Sequence, residues 1–295
     1  MALILTFKHP PIDLSFPSEY DFEQVNDLTY KLVSKANEPI TCINERVFGG
    51  CKSLESVVIP DSVKTIDYSA FYCYTSLKSV VIPNSVNTIG GCAFTHCKSL
   101  ESVVIPDSVK TIGNYAFSCC TSLKSVVIPD SVKTIGNDVF EGCTSLKSVV
   151  VGLSVNIIDI GAFAACTSLE SVVIPCSVNT IGNYAFAKCT SLKSIVIPES
   201  VNTIGECAFA GCKSLKSVVI PDSVNTIGNE AFAYCESLES VVIPDSVISI
   251  PVDVFSDCPS LKIITIDGQT TEYLEKYFET NYPEIDLEYN NYLLK

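Results

Sequence analysis

The chain has no tryptophan, one methionine and two histidines in 295 residues, and its 19 Lys and Arg are outnumbered by 33 Asp and Glu. Each shortage excludes something. A net charge of −14 argues against nucleic acid as a partner, because phosphate-backbone binding needs Lys and Arg to displace counterions. With only His9 and His96 and no isolated carboxylate in an apolar setting, the usual groups for general acid–base work are missing. No enzyme activity and no cofactor are expected. No stretch approaches the ~20 apolar residues that cross a bilayer, so membrane insertion is not expected. The Met1–Pro11 segment has too short an apolar run for a secretory signal and no basic flank. With the lack of any Asn-x-Ser/Thr sequon, this suggests a cytoplasmic protein, or a cell-surface one delivered without a signal peptide.

What is present is a repeat. Phe48, Phe71, Phe94, Phe117, Phe140, Phe163, Phe186, Phe209, Phe232 and Phe255 stand 23 residues apart without a break. A period in the 20s means a solenoid whose coils bury their apolar positions only against neighbouring coils. Three regions follow: residues 1–43 as an N-terminal cap, 44–266 as a ten-repeat array, and 267–295 as a C-terminal cap. In that last region Thr270–Phe278 reads as a helix with Leu274, Tyr277 and Phe278 on one face.

Fifteen cysteines would ordinarily suggest a disulfide framework. Nine of them, Cys51, Cys97, Cys120, Cys143, Cys166, Cys189, Cys212, Cys235 and Cys258, follow their Phe by three residues, and Tyr74 fills the slot in the second repeat. Equivalent positions stack about 4.8 Å apart in successive coils. A column of identical thiols has no unique pairing, so a reduced, buried ladder and a reducing compartment are expected. There is no Cys-x-x-Cys pair, and a column spreads ligands along an axis where zinc needs them to converge. No metal site is expected. Cys92 with Cys97 and Cys207 with Cys212 read as chance local pairs.

Within a repeat, Ser102-Val103-Val104-Ile105-Pro106 has strand character. Alternation sends Val103 and Ile105 inward with Leu100, and Ser102 and Val104 outward. Pro106 ends the strand, Asp107-Ser108 turns, Val109 and Ile112 return to the core, Gly113 is expected to permit a tight bend, and Ala116-Phe117 plug the far side. The Leu-x-x-Val-x-Ile strand, the Pro-x-Ser-Val turn, the Ile-Gly-x-x-Ala-Phe segment and the Cys-x-Ser-Leu link together resemble the BspA-like class of leucine-rich repeats, over about three quarters of the chain. The resemblance implies a right-handed leucine-rich repeat solenoid. A parallel β-sheet would form its concave face, with short helical or irregular segments on the convex face. Many members of the family are microbial or protozoan surface proteins implicated in adhesion to host proteins. The absence of a recognisable signal peptide or anchor departs from that pattern.

Function is then a matter of surface. The outward column Val58, Val81, Val104, Val127, Val150, Val173, Val196, Val219 and Val242 would give an apolar stripe, and contiguous exposed apolar surface tends to mark interaction sites. A charged row, Glu55, Lys78, Glu101, Lys124, Lys147, Glu170, Lys193, Lys216, Glu239 and Lys262, runs beside it. Candidate partner-binding residues are Val104, Val127, Val150, Val173, Val196, Lys124, Lys147, Glu170 and Lys193. The repeat containing Gly152, Leu153, Ile157 and Asp159 departs from the others; drift in a single copy is the safer reading, and its two extra apolar residues make it the best local candidate for a contact spot. The expected function is non-enzymatic binding of a protein partner through the concave face. A structural or self-assembling repeat protein that forms homo-oligomers is the alternative.

Overall fold

A computed structural model describes residues 3–7, 20–26, 28–34, 38–45, 53–247, 249–267 and 272–290. Phe48, Cys51 and His9 lie outside them. At the N-terminal end, β1 (Leu3–Phe7) runs antiparallel to β3 (Thr29–Ser34), and β2 (Tyr20–Asn26) pairs with the other edge of β3. The free edge of β1 pairs antiparallel with Leu54–Val58, setting Ile4 opposite Val58 and Leu5 opposite Val57. Leu3 and Leu5 are fully buried. This short antiparallel sheet thus closes both the hydrogen-bonding edge and the apolar end of the first coil, the two liabilities of a solenoid terminus.

The array has two parallel ladders in register. In the first, Ser125–Val127, Ser148–Val150 and Ser171–Val173 pair residue for residue, Val149 lying between Val126 and Val172. The second is built from the Thr-Ile dipeptides, with Ile158 between Ile135 and Ile181, and Cys42–Ile43 opens it by pairing with Thr65–Ile66. On the remaining side, the Phe segments are turns tied coil to coil. The Phe94 N–H donates to the Ala116 carbonyl at 2.7 Å and the His96 N–H to Ser118 at 2.9 Å. No helix occurs among the described array residues. Opposite the strands, the coil therefore takes the irregular rather than the helical form.

The positions assigned inward are buried in the interior repeats, as Leu100, Val103, Ile105, Val109, Ile112, Ala116, Phe117 and Cys120 show in one of them, while Cys258 in the last repeat is only partly buried. From Phe71 to Phe255 the rings form one continuous stack with centroids 5.1 to 5.9 Å apart. Ring offset at that spacing is a favourable aromatic arrangement.

The structure corrects the role of Gly113. Gly113 has no left-handed backbone. Its role is clearance, since an added Cβ would lie 2.4 Å from the Gly91 nitrogen of the preceding coil. In the coils from Phe71 to Phe232 the left-handed positions lie two residues before and two after the Phe, as at Tyr115 (φ 60°) and Cys119 (φ 57°). His96, at a position that varies freely along the chain, is one of them (φ 60°). Among the described residues Gly142, Gly161 and Gly211 supply glycine there, so most of these coils carry strained non-glycine residues at the bends.

After the last coil, helix α1 (Glu272–Asn281) leads to Asp286–Asn290, which pairs parallel with Ile263–Asp267 and extends the first ladder. Phe278 is fully buried, and the Tyr282 hydroxyl donates to the Val252 carbonyl at 2.9 Å. Thr270, Thr271 and the side chains of Leu274 and Tyr277 fall outside the described residues.

Candidate interaction surface

The first ladder presents one face to the core and one to solvent because side chains alternate along each strand. Val104, Val173 and Val196 are each at least 76% exposed and Val127 and Val150 are both 57% exposed, whereas Val126, Val149 and Val172 beside them are buried. With Val58, Val81 and Val219, also exposed, they make an unbroken column on eight coils, roughly 34 Å long at the inter-coil spacing. At Val242 the column becomes half-buried.

The charged row beside the stripe is organised by ion pairs between neighbouring coils. Lys78 pairs with Glu55 at 2.8 Å, Lys124 with Glu101 at 2.6 Å and Lys193 with Glu170 at 2.7 Å. The hydrogen bonds from Lys124 and Lys193 hold the Glu101 and Glu170 carboxyls below their ordinary range. Both partners of each pair lie in solvent, so the pairs fix side-chain direction more than they stabilise the coil. Of the four charged candidates, Lys124, Glu170 and Lys193 are thereby engaged. Lys147 makes no ion pair among the described residues.

On the opposite border, the residue after each strand proline forms a second row that the sequence reading treated only as a turn. Asp61, Asp107, Asp130, Glu199, Asp222 and Asp245 are all exposed there. The row loses its charge at Asn84, which stays polar, and again in two successive coils, where exposed Leu153 and Cys176 take the position. Leu153 is 72% exposed, and its N–H is held by the Asp130 carboxylate at 2.6 Å. In the same coil Ile160 is exposed, while Ile157 is half-buried in the second ladder. Val150, Leu153 and Val173, with the unpaired Lys147 at the other border, therefore form an apolar break in an otherwise acidic margin.

The rest of the surface holds little convergent chemistry. His96 meets Tyr72 edge to face at 5.9 Å. No group of three or more His, Cys, Asp or Glu side chains converges to hold a metal among the described residues. The described cysteines are all free thiols. Burial drives the Cys120, Cys143, Cys166 and Cys212 thiols well above their ordinary range and the Cys189 thiol up to about 12. Each ladder thiol also donates to the carbonyl of the Phe one coil back, as Cys120 does to Phe94 and Cys143 to Phe117, both at 3.2 Å. That same Phe94 carbonyl accepts the Cys97 N–H of its own coil at 3.1 Å, so both of its lone pairs are used. A parallel column joins the turn serines to the preceding coil, as Ser108 does to the Val86 carbonyl at 2.6 Å and Ser223 to Val201 at 2.6 Å.

The repeat, the two ladders and the Phe turns are those of one family, and the chain belongs to it: the BspA type leucine rich repeat region matches over residues 18–147, 64–193 and 156–285. That family and its fold are typically those of non-enzymatic scaffolds for protein interaction or structure. A search of curated proteins finds no match. Among solved structures, a leucine-rich repeat protein from Eubacterium ventriosum is 24% identical. It covers 85% of this chain and 70% of its own, with a TM-score of 0.53, and supports the fold. A leucine rich cell surface protein from Faecalibacterium prausnitzii is 28% identical over 90% of this chain and 97% of its own, with a TM-score of 0.43. A leucine-rich repeat protein from Bacteroides ovatus is 25% identical over 91% and 90%, with a TM-score of 0.42.

Proposed function

We propose that this chain is a non-enzymatic protein-binding solenoid whose partner, another protein, lies along the Ser-Val-Val face, the concave side of the coil. The observation that carries the reading is the exposed Val column on eight consecutive coils. A monomer gains nothing by keeping such a stripe in water, and contiguous apolar patches of this kind are uncommon outside interaction sites. The strands that hold it are fixed on both sides by ladder bonds, so little ordering cost falls on the solenoid when a partner docks. Its centre lies at Val150, Leu153 and Val173, where the acidic margin is interrupted and Lys147 is available for a partner carboxylate. By family resemblance the setting is adhesion or host interaction. The free thiols of the described cysteines support a reducing compartment.

The test is a paired substitution. Val127, Val150 and Val173 replaced together by Lys should keep the circular dichroism spectrum and abolish binding to the partner recovered with the native chain. The same change at Val126, Val149 and Val172 should unfold the protein, because it buries unpaired ammonium groups. Full binding by the outward triple would remove the Val face as the site. Concentration-dependent assembly of the native chain alone in light scattering, lost in the outward triple, would assign the face to self-association instead.

A further inference from the structure

The thiol column ends differently from the way it runs. From Cys97 to Cys235 each ladder cysteine is fully buried with another coil stacked over it. Cys258 is the last, and no further coil follows. Above it lies a cavity of about 750 Å³ between the final Phe turn and the C-terminal cap, lined among others by Tyr234, Ser256, Asp257, Tyr282 and Ile285. Cys258 is only partly buried and itself forms part of the lining. Beneath it, one coil back, stands Cys235. We propose that Cys258 and Cys235 form a redox-responsive pair, Cys258 being the modification site for hydroperoxides that enter this cavity and Cys235 the thiol that then closes a disulfide onto it.

Geometry singles out this pair among the ladder thiols. Equivalent positions one coil apart are separated by about 4.8 Å, within the roughly 4.4–6.8 Å between Cα atoms that a disulfide spans. The interior ladder thiols meet that condition too, but they are sealed from reagent. Cys176 is exposed, yet Leu153 and Glu199 occupy its position in the adjacent coils, so no second thiol can resolve an oxidised form. Cys119 lies against Glu141 at 3.8 Å, and burial raises its thiol. Cys258 instead opens onto the cavity, its thiol donating to the Phe232 carbonyl at 3.1 Å. Thiolate character and access are what decide oxidation.

The chemistry balances with a hydroperoxide as oxidant. The Cys258 sulfur lone pair attacks the terminal peroxide oxygen, the O–O bond breaks, and an S–OH group forms as the alkoxide or hydroxide leaves and takes up the thiol proton. The Cys235 sulfur then attacks the Cys258 sulfur. An S–S bond forms, the S–O bond breaks, and the departing hydroxide takes the Cys235 proton to give water. Two sulfurs are oxidised and one peroxide is reduced.

The full chain in a Cys176→Ser background, treated with hydrogen peroxide and mapped by mass spectrometry with dimedone as the sulfenic-acid probe, tests this. The expected result is a Cys235–Cys258 cross-linked peptide, lighter by two hydrogens and reversed by dithiothreitol, with no dimedone adduct at Cys258. Cys235→Ser, and independently Cys235→Ala to guard against a disturbed ladder, should give a lasting dimedone adduct at Cys258. Cys258→Ser should show neither product. Adducts spread over the interior ladder, oxidation confined to other cysteines, or an unreactive Cys258 in both Cys235 variants would each overturn the proposal.

Discussion

The Ser-Val-Val ladder and the Phe-Cys turns come from the same 23 residues, yet they divide the work of holding the coil in opposite ways. On the strand side, backbone pairing is regular, the outward Ser and Val columns repeat, and only the row just before the strands varies in charge, as Glu101, Lys124, Lys147 and Glu170 do. On the turn side the backbone is strained at two left-handed positions per coil, and side chains supply order instead, through stacked rings and thiols bonded to carbonyls one coil away. Order therefore rests on backbone pairing along the strands and on the repeated Phe and Cys side chains along the turns.

The strongest way to break the turn side without touching the strands is alkali. The buried thiols from Cys97 to Cys235 have folded-state pKa values raised by burial, except that for Cys235 the bond to Cys258 leads. A raised acid holds its proton more tightly when folded, so its stabilisation is complete below the unfolded thiol value, about 8.5, and is lost as pH climbs toward the folded value. Each such thiol lowers the folding constant by up to tenfold per pH unit in that window, and they act together. Denaturant titrations between neutral pH and pH about 10 should show a steep loss, with protons released on unfolding approaching the number of buried ladder thiols. A flat profile would mean that the column is solvent-accessible.

Next in size is Phe163→Ala. Its ring is fully buried and stacked on Phe140 and Phe186 at 5.5 and 5.4 Å. The loss should be on the order of 3–5 kcal/mol in chemical denaturation, and a break in the middle weakens the array on both sides. Unchanged stability would place the ring outside the core.

The smallest effect sharpens the comparison at the bends. Lys188 holds a left-handed conformation (φ 60°) where Gly142 and Gly211 stand in other coils. Relief of the left-handed cost, ~1–2 kcal/mol, against the extra entropy of glycine, ~0.5–1 kcal/mol, predicts that Lys188→Gly stabilises by about 0.5 kcal/mol. Gly142→Ala should cost about 1 kcal/mol, its Cβ pressing on the Cys119 sulfur at 3.2 Å. Opposite signs in thermal denaturation check the assignment.

Much of this was legible in the residues. Period and alternation placed Val103 inside and Val104 outside, and the repeated Cys column inside, because burial follows from pattern alone. What pattern does not carry is the offset between coils. That Cys120 bonds Phe94, 26 residues back, or that Lys124 reaches back to Glu101 while Lys147 reaches no carboxylate, depends on how one turn sits on the next. Gly113 was read as a bend when it is a clearance, since the contact it relieves comes from another repeat. The left-handed bends had left a trace, in Gly142, Gly161 and Gly211, but glycine occupies too few copies to stand out. The acidic margin was visible as turn residues and became a surface feature only once the strands aligned it.

Because each coil bonds only to the coil before and the coil after, through contacts separated by one period, the length of the protein is decoupled from its chemistry. Excising one whole period from the interior would bring together two surfaces that already match, and duplicating one would do the same. The chain is in effect a ruler graduated in steps of about 4.8 Å, with closure at both ends. A lineage can lengthen or shorten the array by unequal recombination alone, without first inventing a new interface between coils.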